Sequence, residues 1–408
     1  MVIGAGAAGI AASGKLSLAG REVLVLEARD RIGGRIWTVG SRAWGQAVEL
    51  GAEFVHGGMA ARNLSALTGV ATDPWSWGTG RQQHSFFQGK RYSAFPYSRN
   101  PTIDEWIASQ QNDESFAASI DRETAWSPKR VAHHTAFVTG TLAAAPEEVS
   151  MLALRKQWEA WSARGDDGSD HHIRGGYNKI LRALSSSAKI KLKSAVSSVD
   201  ARSGPVKVRT VDGSEYAAKC VVVTLPLGAL KRRSITFKGV TMKRKWDAVD
   251  ALGVGSVVKT ILRFDRRWWD HDFRLAQSDD LVQEWWPLRE TKTSALLVGW
   301  SGGPMARALA SGGNVRKDTL LRLDRVFPRS NRPEPTKMKT VDWSAERFTW
   351  GCYSHVPPGA LGARDELALP VGRVFFAGEA THTGAYPATV WGAVESGRRA
   401  ADEVLMSI

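Results

Sequence analysis

The opening stretch of this chain leaves few folds to choose from. Val2-Ile3 leads into Gly4-Ala5-Gly6-Ala7-Ala8-Gly9, small residues with helical character continue to about Gly20, and Glu22-Val23-Leu24-Val25-Leu26-Glu27 follows. A glycine turn between a strand and a helix, with a second strand behind it, is the order a parallel α/β dinucleotide-binding unit requires. The three glycines serve different ends. Gly4 permits the tight turn, Gly6 lets the backbone approach a pyrophosphate, and Gly9 lets the helix pack closely on the sheet. The phosphates would meet the helix N-terminus, where unpaired N–H groups and the macrodipole favour anions. Glu27 ends the second strand 18 residues after Gly9. Its carboxylate there can accept hydrogen bonds from both ribose hydroxyls and disfavours a 2′-phosphate.

At 408 residues the chain has room for two or three domains. Residues 75–170 carry many Trp and helix-favouring side chains and read as a helical insertion. Strands resume at Val206–Val211, where Asp212-Gly213 signals a hairpin. Lys219–Leu225 fits a buried strand, a Pro-rich linker covers Pro328–Pro335, Arg373–Ala377 reads as another strand, and a last helix begins at Val390 with Val394, Gly397, Ala401 and Val404 on one face. The expected architecture is α/β: a Rossmann-type cofactor domain assembled from 1–74, 171–233 and 340–408, with an α+β substrate domain inserted at 75–170 and 234–339. No apolar run reaches the ~18 residues a membrane span needs. The start on Met1-Val2-Ile3 reads as the end of a strand, so no signal peptide is expected within this sequence, a leader removed ahead of it being the alternative. With only Cys220 and Cys352, no disulfide framework specifies the fold, which suits a cytoplasmic protein. Net charge is +14. The basic clusters Lys231-Arg232-Arg233, Lys243-Arg244-Lys245 and Arg266-Arg267 are short and dispersed, as on a solvated face, although charge alone also admits nucleic acid.

The continuation Glu27-Ala28-Arg29-Asp30-Arg31-Ile32-Gly33-Gly34-Arg35 resembles the ExxxRxGGR segment of the amine-oxidase group of flavoproteins, which implies FAD as the cofactor. At the other end, Phe375-Phe376-Ala377-Gly378-Glu379 and Ala385-Tyr386-Pro387-Ala388-Thr389-Val390-Trp391-Gly392-Ala393 resemble the flavin-proximal motif of histone demethylases and polyamine oxidases. A helix beginning at Thr389-Val390 would direct its positive end at the charge of a reduced flavin. The resemblance implies cofactor contacts from Ala28, Arg29, Gly33, Gly34 and Arg35 near the pyrophosphate. It implies others from Gly378 and Glu379 at the pyrophosphate and ribityl chain, and from Val196, Trp343, Ala388, Thr389 and Val390.

Three further segments carry the implied chemistry. Glu49-Leu50-Gly51-Ala52-Glu53-Phe54-Val55-His56-Gly57 resembles the LGAxxxHG turn of polyamine oxidases, which would run Gly51, Ala52, Glu53 and Phe54 past the isoalloxazine and turn His56 toward the substrate. A satisfied structural histidine is the alternative. Val254–Lys259 resembles the family strand whose lysine holds a water against flavin N5, so Lys259 would sit among apolar neighbours, at a desolvation cost that invites a functional explanation. A lysine that snorkels to solvent competes with this reading. Trp350-Gly351-Cys352-Tyr353-Ser354 resembles a wall of the substrate cage, with Tyr353 and Tyr386 holding an amine over the flavin. In the monoamine oxidases the Gly-Cys-Tyr cysteine bonds covalently to the flavin. The remaining motifs favour the branch that binds FAD without a link through Cys352.

The implied activity is FAD-dependent amine oxidation with oxygen as the final acceptor and no metal. A polycation would meet an unfavourable field from a protein of charge +14, which tilts the expected substrate toward a monoamine or a small aromatic amine. An L-amino-acid oxidase is the enzymatic alternative, and a basic nucleic-acid-associated flavoprotein without oxidase activity the non-enzymatic one.

Overall fold

In the computed structural model, which describes residues 1–87, 89–92, 102–185, 188–288, 294–328, 330 and 332–408, Val2–Ile3 sits at the middle of a five-stranded parallel sheet. The strand order is Lys189–Lys191, Leu24–Leu26, Val2–Ile3, Val221–Val223, Val374–Phe376. Every pairing is parallel, so the strands must be recruited from distant parts of the chain. The three central strands are apolar and almost entirely buried, as a parallel sheet covered on both faces requires. One covering layer pairs helix Ala7–Leu18 with helix Val390–Ser407. The axes approach closely because small residues line the contact: a Cβ on Gly397 would stand 2.1 Å from the carbonyl oxygen of Ala8.

The hairpin expected at Asp212-Gly213 forms between Val206–Thr210 and Glu215–Ala218. It belongs to a four-stranded sheet with Val196–Asp200 and Thr236–Lys238. The last helix begins at Val390, capped by Thr389, whose Oγ1 accepts from the N–H of Gly392 at 3.0 Å.

A seven-stranded sheet forms the second body, in the order Lys337–Asp342, Val257–Arg263, Leu296–Gly302, Glu284–Pro287, Leu275–Ser278, Gln83–Phe87, Lys90–Tyr92. Its pleat divides the side chains by parity. Val258, Leu262, Trp285, Ala276 and Leu297 face the helices Gly303–Ser311 and Val315–Val326. Val257, Ile261, Trp286, Val298 and Val341 face the other way, toward Leu50, Trp343, Phe54 and Tyr353.

The stretch from 75 to 170 differs from the helical insertion expected. It does hold helices Ile103–Ser109, Phe116–Asp121, Pro128–Leu142 and Met151–Ser162, but Gln83–Phe87 and Lys90–Tyr92 extend the large sheet. The physical reason is that Gln83–Phe87 pairs with Leu275–Ser278, almost 200 residues away, so its short mixed pattern acquires strand character only from the partner. Asp170–Ile173 likewise joins Phe54–His56 to Thr72–Trp75 in a small antiparallel sheet.

Candidate active site

At the N-terminal turn the glycines divide as their chemistry dictates. Gly4 adopts φ +103°, and a Cβ there would stand 2.7 Å from Thr224 Oγ1. A Cβ on Gly9 would lie 1.9 Å from the carbonyl oxygen of Gly4. Gly6 meets nothing within 3.9 Å, so its open side faces away from the protein's own atoms. Helix Ala7–Leu18 starts there without a side-chain cap, which leaves its first N–H groups for an incoming anion. The second glycine pair closes on this turn: the Gly33 N–H donates to the carbonyl of Ala5 at 2.8 Å. Glu27 is buried beside it and accepts from the N–H groups of Ala5 at 2.7 Å and Arg29 at 2.9 Å. A carboxylate has about four acceptor positions, so ribose hydroxyls can still be served. Ala28 lies between these contacts, and Arg29 also donates to Thr349 Oγ1 at 2.9 Å.

The C-terminal motif reaches the same place. Arg35 pairs with Glu379 at 2.8 Å and also donates to the carbonyl of Cys352. Glu379 accepts from Ser354 Oγ at 2.6 Å, and Arg364 donates to that hydroxyl at 2.7 Å. Burial alone would raise the Glu379 pKa, but the charges of Arg35 and Arg364 overcome it and hold the carboxyl below its ordinary value. Gly378 adopts φ +139° and donates to Ser396 Oγ at 3.0 Å. Ala388 keeps φ +63°, a left-handed conformation costly for a residue with a Cβ, immediately before the Thr389 cap.

Lys259 lies where these segments meet the large sheet. Its side chain is 1% exposed, and Nζ donates to Glu53 Oε2 at 2.6 Å and to the carbonyl of Gly51 at 3.0 Å. Snorkelling to solvent is therefore excluded. The other oxygen of Glu53 accepts from Trp286 Nε1 at 3.1 Å. A Cβ on Gly51 would sit 2.0 Å from the Arg35 carbonyl and 2.8 Å from Trp343, whose indole N–H donates to the Leu50 carbonyl at 3.1 Å. Gly51, Glu53, Lys259, Trp343, Arg35, Cys352 and Glu379 thus form one continuous set of contacts.

Cys352 and Tyr353 follow. Burial pushes the Cys352 thiol up to about 12 despite the Arg35 charge nearby, and the Tyr353 hydroxyl donates to the carbonyl of Thr141 at 2.5 Å. Phe54 belongs to an aromatic group, with ring centroids 4.9 Å from Trp77 and 6.0 Å from both Trp75 and Trp286.

The remaining expected residues stand apart from this set. His56 is half exposed, and its Nδ1 lies 2.7 Å from Asp170 Oδ1. Burial lowers the His56 pKa, but the charge and hydrogen bond of Asp170 more than offset this and raise it overall. Tyr386 is buried and donates to Asp166 Oδ2 at 2.6 Å beneath the Arg164 guanidinium. Among the described residues no direct hydrogen bond joins His56 or Tyr386 to Lys259. Val196 packs under the parallel sheet with Leu26 and Val223.

Sequence reasoning missed Glu284. Register places Lys259 opposite Trp300, Trp300 opposite Glu284, and Glu284 opposite Gln277, so the four side chains share one face in a single row. Two strand spacings separate Lys259 from Glu284, roughly 10 Å. Among the described residues the Glu284 carboxylate has one hydrogen-bond partner, Gln277 Nε2 at 3.3 Å, and no cation within salt-bridge reach. Burial raises its pKa to about 7. The available signal was a lone carboxylate inside the run Val282–Leu288. Asp166 and Asp170, which hold Tyr386 and His56, were also missed, the first lying in a loop and the second at the start of the short strand Asp170–Ile173, with no motif around them.

An FAD fits these residues by observation: an uncapped helix start, an open Gly6 and the buried Glu27 form a cradle for the dinucleotide. Comparisons agree. The family model of the flavin containing amine oxidoreductases matches residues 7–405. Lysine-specific histone demethylase 2 of Homo sapiens is 29% identical over 457 residues, covering 99% of this chain, which spans 53% of that protein. Polyamine oxidase 4 of Oryza sativa subsp. japonica is 28% identical over 440 residues, covering 99% of this chain and 88% of the relative. Among solved structures, cyclohexylamine oxidase from Brevibacterium oxydans IH-35A superimposes with TM-score 0.84 at 22% identity, covering 100% of this chain and 98% of that one. Wild-type putrescine oxidase bound to putrescine gives TM-score 0.82 at 22% identity, covering 99% and 98%. With the family model matching residues 7–405 and a dinucleotide cradle formed at Gly4, Gly6, Gly9 and Glu27, the chain is an FAD-binding member of the flavin containing amine oxidoreductase family.

Proposed function

We propose that this protein is an FAD-dependent amine oxidase, with a site built by residues 1–74, 171–233 and 340–408 on the cofactor side and by 75–170 and 234–339 on the substrate side. The observation that carries this reading is Lys259, a buried ammonium with fixed partners on the face that meets Gly51 and Trp343. When bound, FAD would take a hydride from the carbon next to a neutral amine and pass the electrons to oxygen as hydrogen peroxide, while the imine hydrolyses to a carbonyl compound. The protein's share is position, electrostatics and water control. Gly4, Gly6, Gly9 and Glu27 hold the dinucleotide, Arg35 and Glu379 fix the loop around it, and Lys259 binds a water beside the ring. Tyr353 and Tyr386 wall the amine. His56 serves as a polar group toward the substrate.

Glu284 shifts the expected substrate away from a monoamine. A half-buried carboxylate with no cation in salt-bridge reach among the described residues, roughly 10 Å along the sheet from Lys259, suits an amine carrying a second positive charge. A local carboxylate acts at contact distance in a poorly solvated site, where it outweighs a screened net charge. The same residue works against the L-amino-acid oxidase alternative, because it would repel a substrate carboxylate. Burial pushes the Cys352 thiol up to about 12, which disfavours the thiolate and supports FAD bound without a link through it. Both cysteines are free, as suits a reducing compartment such as the cytoplasm.

The test is a panel of monoamines, diamines and amino acids, scored for peroxide with FAD-loaded protein. A diamine should lead the panel. A colourless protein that takes up no FAD, or salt-sensitive DNA binding without amine-dependent peroxide, would overturn the reading.

A further inference from the structure

An ammonium has three N–H donors, and two of those on Lys259 are committed, to Gly51 O and to Glu53 Oε2. Both acceptors are themselves immobilised. The Gly51 carbonyl cannot swing, because that backbone lies against the Arg35 carbonyl too closely to admit even a Cβ. The Glu53 carboxylate is held from its far side by Trp286, whose indole is itself buried. Glu49, the other acid near Lys259, is engaged elsewhere, accepting from the Tyr177 N–H at 2.8 Å and from Thr38 Oγ1. Apolar side chains on the Lys259 face, Ile261, Val341 and Trp343, flank it. Replacing a buried ion pair by well-packed hydrophobic residues is often neutral or stabilising, so packing alone does not account for this one.

We propose that Glu53 is a positioning residue for Lys259: it fixes the ammonium through one carboxylate oxygen while Trp286 fixes the other, leaving a single N–H for the bound flavin and its water. The same carboxylate cancels the lysine charge locally, so an approaching amine meets a donor without a net positive field. This inference rests on the role assigned to Lys259 above.

The experiment compares Glu53→Gln, Glu53→Asp, Trp286→Phe, Lys259→Met and the Glu53→Gln/Lys259→Met double variant. FAD content, the visible spectrum, and the rate at which oxygen reoxidises photoreduced protein are recorded without any amine. Melting temperature is recorded for FAD-loaded and FAD-stripped protein. Glu53→Gln should keep its FAD, alter the flavin spectrum and slow reoxidation by about 10-fold or more, as expected when the Lys259 donor is no longer held in place by its charged acceptor. Glu53→Asp, which keeps the charge, should recover most of the rate. In the Lys259→Met background Glu53→Gln should add no further slowing, and its cost in melting temperature should vanish.

Reoxidation within twofold of the parent, or equal effects in both backgrounds, overturns the proposal. If Glu53→Gln does not fold, Trp286→Phe decides: an unchanged spectrum and rate there overturn it, and a several-fold loss supports it. Normal reoxidation in Lys259→Met removes the lysine role and this inference with it. Failure of every amine in the panel, alongside a coupled Glu53 and Lys259, would defeat the proposed substrate class and leave the positioning role standing.

Discussion

Replacing Glu284 by Gln removes a charge and keeps the shape, and the structure allows its consequence to be worked out in both sign and size. Burial moves this carboxyl from an ordinary 4.5 to about 7. In the unfolded chain the proton is lost near 4.5 and in the folded protein near 7, so between those values the folded state holds more protons. Stability therefore falls as pH rises through this window and stays lower above it. At ~1.4 kcal/mol per pH unit the full difference is about 3 kcal/mol, and water reaching the partly exposed side chain reduces it to about 2 kcal/mol. Without amine, Glu284→Gln should match the parent near pH 4 and exceed it at pH 8, by about 2–3 °C in melting temperature for a chain of this size. Catalysis should move the opposite way. Losing a charged partner for the second ammonium costs about 2 kcal/mol, so the ratio of kcat/KM for 1,4-diaminobutane to that for butylamine should fall roughly 30-fold at pH 8. In the parent that ratio should also decline below about pH 7 as Glu284 takes up its proton. Peroxide-coupled kinetics and scanning calorimetry read both effects. A variant with the parent's diamine preference, or one less stable than the parent at pH 8, would refute the assignment of Glu284 as a substrate-site carboxylate that has no cation among the described residues.

Other outcomes follow from individual side chains. Lys259→Met should bind FAD yet slow strongly in reduction or reoxidation, and rapid-mixing traces showing parent rates in both halves would remove its role. Gly9→Ala should weaken folding itself, by about 2 kcal/mol or more in denaturant titration, because the new Cβ meets the Gly4 carbonyl. A Cβ at Gly6 meets nothing nearer than the Gly33 carbonyl oxygen at 3.9 Å, so Gly6→Ala should fold but take up FAD more weakly, as measured by absorbance after reconstitution. Acid precipitation should release all the FAD from the parent protein, and intact mass should show no adduct at Cys352. A mass increase equal to the flavin, absent from Cys352→Ala, would reverse that reading.

Much of the cofactor cradle is legible locally because each residue acts through its own backbone or its nearest neighbours. Gly4, Gly6 and Gly9 follow from turn and helix geometry, and Thr389-Val390 from capping chemistry, and all fall where the pattern puts them. The His56 and Tyr386 roles are less legible, since their partners Asp170 and Asp166 lie more than 100 residues away in sequence. Glu53 fits the motif only as a variable position, and nothing in its flanking residues announces a lysine partner 206 residues away. The strand Gln83–Phe87 is hidden for the same reason, its register being supplied by Leu275–Ser278.

What the sequence alone determined is the parallel α/β cofactor unit and its family, because glycine placement, helix periodicity and strand hydrophobicity are short-range properties that any window of the chain displays. What only the tertiary structure decided is the electrostatics of the site: Lys259 paired with Glu53, and Glu284 left without a cation among the described residues. Charges in a desolvated interior are governed by distance and burial, and both are set when strands far apart in sequence align side by side in one sheet.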